Sequence, residues 1–406
     1  MPEPSSPDRP LDGIRVADFS RVLAGPFSTR MLADLGADVI KIEPPDGDLS
    51  RRLGPRRAGM SGYYMQQNTG KRNVSIDLKA ERGRDLAIAL VGRCDVVVEN
   101  FRPGVMDALG LGAAHLRELY PRLVYCSISG FGNSGPWRER RAFAGIAHST
   151  TGVLYRQAHA WSMEPRDSVL ALGDTVTGLQ ATIAILSALR LREKTGRGQT
   201  IDMAMHDALL SVQEAASFYL FPDGASEHDF LCSWVYRCGE EHVAMPTDPR
   251  ADWDVMTELM GRPELARDER YDTYAKRAER LDELEAHIQD WVMDQDDADT
   301  VVAALDRAGL PGARIMRMSE ALDCEQTRAR GMTREIEDRS GARVRVLNSP
   351  YRFSEAEAGV RGRPAFRGED NRAVLRDVLS MNDAEVDALE RDGVISARLP
   401  GDKPAG

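Results

Sequence analysis

The run Gly173-Asp174-Thr175-Val176-Thr177-Gly178 sets one carboxylate between two glycines, directly ahead of the apolar positions Leu179, Ile183, Ile185, Leu186 and Leu189. An aspartate before such a run is a helix start. The free N–H groups of a first helical turn keep its carboxylate charged at low cost, and the glycines let another molecule come close to the backbone. Two readings share these features. Asp174 is a plain N-cap, or it is a carboxylate nucleophile presented in a tight pocket.

The elements around it form a recognisable series. Ile14 to Phe19 reads as a short apolar strand. Gly25-Pro26 opens a helix through Met31, Leu32 and Leu35, with proline tolerated in the first turn. Gly36 ends that helix, and Asp38 to Glu43 is the next strand. This is a βαβ unit. The pattern repeats with a helix around Arg82–Val91 leading to the strand Asp95–Glu99, and a helix around Ala113–Leu119 leading to Leu123–Ile128. The strands are nearly continuous in apolar residues, as expected when both sheet faces are covered. Glu43, Asn100 and Ser129 gather at their C-terminal ends, the edge at which open α/β sheets bind ligands. After the long helix that Asp174 begins come Ile201–Met205, a strand candidate, and His206–Tyr219, a helix candidate. Pro222 to Glu227 is a polar break. Beyond it lie a hairpin (Val235–Cys238 and His242–Met245) and helices near 251–260, 276–293 and 297–308, with Asp294-Gln295-Asp296-Asp297 as a solvated helix junction. From Thr333 strands return, with a turn at Asp338-Arg339-Ser340-Gly341, and Arg372–Leu389 is a last helical stretch.

With 406 residues and 42% hydrophobic side chains, the chain is long enough for two globular domains. A formal net charge of −11 argues against nucleic acid as a main partner, because that binding needs a basic footprint. A phosphorylated small molecule needs only a local basic patch. The five cysteines are scattered, and Cys232 and Cys238 do not form a zinc knuckle. Cys94 and Cys126 read as buried thiols. The expected setting is a reducing compartment, the cytoplasm by default. The first ten residues read as a loose tail without a signal pattern. No run approaches the apolar length of a membrane span, so no membrane is expected.

Several segments, in this order and spacing, resemble the family III CoA-transferases (CaiB/BaiF family), which include formyl-CoA and carnitine CoA-transferases and the related alpha-methylacyl-CoA racemases. They are Leu11 to Val16 with Leu23-Ala24-Gly25-Pro26; Leu32 to Asp48; Asn68-Thr69-Gly70-Lys71-Arg72; Glu99-Asn100-Phe101-Arg102-Pro103-Gly104; Ser127 to Gly132; Gly173-Asp174; and Lys194 to Gln199. The resemblance covers residues 11 to about 210 and runs on more weakly to about 390. It implies an α/β fold, with a large open Rossmann-like domain built from both chain ends, a small α+β domain, and an interlocked homodimer. The expected boundaries are 11–221, 222–330 and 331–406. It implies Asp174 as the nucleophile, attacking an acyl-CoA thioester and passing CoA to a small carboxylic acid. It also implies CoA contacts at Val22, Ala24, Lys71, Ile76, Lys79, Asn100, Phe101, Arg102 and Arg141. No tightly bound cofactor and no metal are expected, since CoA enters as substrate.

The chain departs from the family at marked points. Racemases carry a His-Asp pair where Phe143 and Ala144 stand here, and neither of these moves a proton. Many transferases have an acidic residue at the position of Ala144, so the acceptor pocket differs too, and His148 stands where Gln is frequent; it reads as a polar wall residue. Residues 222 to 234 hold a single glycine, Gly224, where formyl-CoA transferase has a glycine-rich closing loop. Besides the transferase, two alternatives stand at this point: a 2-methylacyl-CoA racemase or isomerase, and a CoA-binding homologue that has lost catalysis.

Overall fold

A computed structural model describes residues 8–214, 216–220, 234–338 and 341–398. The polar break at Pro222–Glu227, Cys232, Gly224 and the centre of the turn at 338–341 lie outside them. The chain divides into two compact units: residues 1–216 with 328–406, and residues 217–327.

The larger unit is built on six strands, β1 (Arg15–Asp18), β2 (Asp38–Glu43), β3 (Arg72–Ser75), β4 (Val96–Glu99), β5 (Val124–Ser129) and β6 (Thr200–Ala204). All pair in parallel, in the order β3-β2-β1-β4-β5-β6. That is the doubly wound order, and its direction reverses between β1 and β4, the place where ligands bind in such sheets. The strands alternate between two cores. Ala17, Ile40, Ile42, Val97 and Tyr125 face one; Val16, Val39, Val96, Val98 and Cys126 face the other.

Among the helices around the sheet and its C-terminal edge are α1 (Ala24–Asp34), α2 (Gly62–Asn68), α3 (Glu81–Val91), α4 (Ala113–Leu119), α5 (Ala144–Thr150), α6 (Leu172–Thr195) and α7 (Met205–Ser211). Helices α3 and α4 cover the first core, where the chain's last helices join them: α8 (Asn371–Leu379) contributes Val374, Leu375 and Val378, and α9 (Asp383–Arg391) contributes Val386 and Leu389. Helices α1 and α6 cover the second. They approach closely because residue 178 is glycine: a Cβ there would stand 2.8 Å from the Ala24 carbonyl oxygen.

Helix α6 corrects one expectation. By length and composition it is apolar enough to cross a membrane. Its Ala181, Ile185, Ala188 and Leu189 are nevertheless part of the core beneath the sheet. The final helical stretch is also not continuous. Ser380 takes a left-handed φ of 59° after α8, and Asn382 starts α9 in a capping box with Glu385. Likewise the stretch His206–Tyr219 breaks after α7.

The smaller unit pairs Trp234–Cys238 with Glu241–Met245 as an antiparallel hairpin, and Ala313–Arg314 adds to its edge. Helices Trp253–Leu259, Leu281–Met293 and Ala298–Ala308 pack on it around buried Trp253, Tyr271, Leu284 and Leu305. The acidic run ends as a helix start, with Asp297 accepting the Thr300 N–H at 2.7 Å.

Candidate active site

Three successive peptides after β1 are fixed by side chains from β1 itself and from neighbouring strands and loops. The Ser20 N–H donates to Asp18 Oδ1 at 3.0 Å, and the Ser20 carbonyl accepts from Lys41 Nζ at 2.7 Å. The Arg21 N–H donates to Asn100 Oδ1 at 2.7 Å, while Asn100 Nδ2 donates back to the Arg21 carbonyl at 2.8 Å. The Val22 N–H donates to Asp48 Oδ1 at 3.2 Å. Held this way, Val22 adopts φ 65°, a left-handed conformation that a β-branched residue rarely takes and that costs about 1–3 kcal/mol. The loop then turns into α1 at Ala24.

The anchors are charged and buried. Lys41 and Asp48 pair at 3.1 Å, Lys71 and Asp18 at 3.0 Å, and all four side chains are nearly inaccessible. Burial opposes the charge on Asp18, yet Lys71 and Lys41 hold its carboxyl down to about 2. Burial likewise opposes the charge on Lys41, whose acidic neighbours Asp48 and Asp18 prevail and raise it. Glu43 is held low, at about 2, against its own burial by Arg51 and Lys41. It also accepts from Tyr64 and Asn73. The polar residues at the strand ends therefore bind the protein's own loops: Glu43 the 48–51 segment, Asn100 the loop after β1, and Ser129 the Gly132 N–H.

Asp174 stands where two helix N-termini meet. Helix α6 begins at Leu172 with Ala171 as N-cap, so Asp174 is its third residue and not the N-cap expected from sequence. The helix begins early because the Gly173 N–H has an acceptor from outside, His148 Nε2 at 3.0 Å. Asp174 is half-buried. Burial raises its carboxyl above the usual range, opposed by the N–H groups of Ala24 and Ala144. Those N–H groups open α1 and α5. A carboxylate so placed is partly desolvated, hence basic and nucleophilic, and is flanked by backbone donors of the kind that stabilise a developing oxyanion. The phenol of Tyr63 on α2 faces the same place: burial raises it, and the charges of Asp174 and Asp48 add to the effect.

The other expected residues divide into two groups. Val22, Ala24 and Asn100 converge on the loop after β1. Phe101 is half-buried beside it, with the Arg21 guanidinium 5.5 Å from its ring centroid. Lys79, Arg102 and Arg141 are exposed on loops that follow the C-terminal ends of β3, β4 and β5. Lys71 and Ile76 are corrected. The Lys71 ammonium is buried and donates to Asp18, Pro26 O, Thr29 Oγ1 and Asn68 Oδ1, so its donors are engaged within the unit. The Ile76 side chain is fully buried in the first core and its N–H donates to the Glu43 carbonyl. Neither side chain is free to meet a ligand.

Sequence reasoning passed over Lys41, Asp48 and Tyr63 as site-builders. A lysine inside the apolar run Val39-Ile40-Lys41-Ile42 was a signal for a buried pair; Tyr63 offered none. Cys94 and Cys126 are thiols that burial pushes up, to about 12 for Cys94. Among the described residues no group of three or more His, Cys, Asp and Glu side chains is arranged to hold a metal ion.

A doubly wound parallel sheet with a carboxylate between helix starts at its switch point defines an α/β fold with a candidate ligand site at that point. Residues 11–371 match the model of CoA-transferase family III, and the chain belongs to that family. It is 32% identical to succinyl-CoA–D-citramalate CoA-transferase of Chloroflexus aurantiacus, over 96% of this chain and 99% of that one. It is 33% identical to succinyl-CoA:mesaconate CoA-transferase of Haloarcula hispanica, over 90% and 96%. It is 31% identical to formyl-CoA:oxalate CoA-transferase of Streptomyces avermitilis, over 95% and 99%. Among solved structures it resembles a CaiB/BaiF family protein of Brucella suis, with a TM-score of 0.82 and 33% identity over 91% of this chain and all of that one. It also resembles Rv3272 of Mycobacterium tuberculosis, with a TM-score of 0.80 and 28% identity over 90% and 99%. The protein is an acyl-CoA:carboxylate CoA-transferase.

Proposed function

We propose that Asp174 carries the transfer as a covalent nucleophile. Its carboxylate oxygen attacks the thioester carbonyl, the C–S bond breaks, and a mixed aspartyl anhydride and CoA thiolate result. The thiolate attacks the aspartyl carbonyl, releases the donor acid and leaves an aspartyl-CoA thioester. The acceptor carboxylate then attacks that thioester, forming a second anhydride, and the returning thiolate takes the acceptor acyl group and frees Asp174. Each step is a simple acyl exchange, and atoms and charge balance without an outside reagent. The N–H groups of Ala24 and Ala144 are suited to the developing oxyanions. The relatives' names point to a small organic acid as acceptor.

CoA lies along the loop after β1 and the strand ends beside it. Val22, Ala24, Asn100 and Phe101 form its path, and Lys79, Arg102 and Arg141 offer exposed cations for its phosphates. The protein works in the cytoplasm as an interlocked homodimer, the arrangement implied by family resemblance. The apolar side chains that α5 and α6 leave exposed support a second copy as the partner: Phe143 at the start of α5 is 72% exposed and Ile183 on α6 is 58% exposed.

The observation that carries the reading is the placement of Asp174 at the start of α6 among the N–H groups of α1 and α5. Incubation with acyl-CoA should give a hydroxylamine-sensitive adduct on Asp174 by mass spectrometry. Asp174→Ala should lose the adduct and at least about 10⁴-fold in turnover, while still binding CoA. Retained turnover or an adduct elsewhere overturns the assignment. The racemase reading is disfavoured by a specific contact. The chain does place a histidine beside an aspartate near the site, His148 and Asp167, but both ring nitrogens are engaged and the ring is buried. It is not poised to take an α-proton.

A further inference from the structure

His148 lies on α5, one helical turn after Ala144, and is 1% exposed. Its Nδ1 stands 2.7 Å from Asp167 Oδ1, and its Nε2 accepts the Gly173 N–H at 3.0 Å. The two contacts define one tautomer: Nδ1–H donates to the carboxylate and Nε2 keeps its lone pair for the peptide. Gly173 is the residue before Asp174. Ala171, the N-cap of α6, has no side-chain acceptor for the first free N–H groups of the helix. Helix α5 lies directly on this peptide, since a Cβ at Gly173 would meet Ala144 Cα at 3.0 Å and Ala147 Cβ at 3.2 Å.

We propose that His148, oriented by Asp167, is a positioning residue that caps α6 from outside and so fixes the Asp174 carboxylate for attack. It rests on Asp174 being the nucleophile. One helix thus serves both neighbours: Ala144 of α5 directs its N–H at Asp174, and His148 of α5 takes the N–H of Gly173. The device works only with the neutral ring. Protonation at Nε2 turns the acceptor into a donor facing a donor, the Gly173 N–H loses its partner, and the first turn of α6 shifts with its carboxylate. Asp167 on the 161–171 segment and Asp174 on α6 are the charged groups that bear on the ring. On the α7 side His206 Nδ1 meets Thr150 Oγ1, on the same helix as His148. A displacement of about 1 Å at a reacting group costs on the order of 100-fold in rate.

The test compares three variants by kcat and KM at pH 8. Gln keeps an acceptor oxygen, and His148→Gln should hold kcat within roughly threefold of the parent. His148→Ala should lower kcat by on the order of 100-fold, with KM for acyl-CoA little changed. Asp167→Ala should fall between them. Parent-like kcat in His148→Ala, or a kcat in His148→Gln as low as in His148→Ala, overturns the proposal. If His148→Ala does not fold, Asp167→Ala decides, and parent-like kcat there overturns it. The adduct on Asp174 is followed in parallel, so that loss of the nucleophile reading is distinguishable from loss of this one.

Discussion

Glu99 illustrates how far a single buried acid can tie stability to pH. It ends β4 beside Ser127, and its carboxylate accepts the Phe101 N–H at 2.8 Å. Burial pushes it up to about 7 from 4.5, with Asp107 and Asp202 adding to the effect and the Ser127 and Phe101 contacts opposing it. Between those two values the native protein holds a proton that the unfolded chain has released. Stability therefore falls as pH rises through that window, by up to about 3 kcal/mol. Glu99→Gln should remove this slope and should be more stable than the parent at pH 8, with the difference closing toward pH 4.5. Denaturant titration across pH reads it, and an unchanged slope in the variant would refute the assignment. Glu99 and Asp174 show the same physics put to different ends. Burial raises both, but backbone N–H groups from two helices face Asp174.

At the level of elements, the site depends on a loop of four residues that has no regular structure of its own. Residues 20–23 are held because β2 carries Lys41 inside its apolar run and Asn100 directly follows β4. Two ion pairs lie beneath the loop where water does not reach. Removing one partner leaves the other charged and unpaired, which costs about 3–5 kcal/mol. Lys41→Met should destabilise the larger unit by that order, and what remains folded should lose turnover because Ala24 moves with the loop. A denaturation midpoint like that of the parent would show that Lys41 is not the anchor. Helix α6 repays a similar reading. It buries Ala181, Ile185 and Leu189 on one side and leaves Leu179 and Ile183 exposed on another. An exposed apolar stripe on a core helix marks a surface for a partner.

The whole molecule brings that stripe into its prediction. If two copies interlock, dilution alone should not release a monomer, and sedimentation should report twice the chain mass of 44.9 kDa at every accessible concentration. A double change, Leu179→Asp with Ile183→Asp, buries charge at the proposed contact. It should yield aggregate or unfolded chain, and the loss should exceed about 2 kcal/mol per buried charge. A folded, active monomer from the parent would sink the homodimer, and a native dimer from the double variant would move the contact away from α6.

Much of this protein was already determined by local sequence. The apolar runs at Arg15–Asp18, Asp38–Glu43, Val96–Glu99 and Val124–Ser129 are legible because a strand buried on both faces needs continuous hydrophobicity. Helix α1 is legible from Gly25-Pro26 and Gly36, and Asp174 from its flanking glycines. Other features were decided by tertiary structure alone. Strand β3 reads as polar (Arg72, Asn73, Ser75), and it becomes a strand because β2 offers it a parallel partner and Asp370 and Asn371 accept its N–H groups. Lys71 looks like an exposed basic residue until Asp18, Thr29 and Asn68 surround it. Asp174 looks like a cap until His148, on another helix, satisfies the Gly173 N–H and lets α6 begin three residues sooner. Sequence periodicity reports which face of an element is apolar. It carries no record of which distant donor meets which acceptor, and in this enzyme those long-range pairings place Asp174.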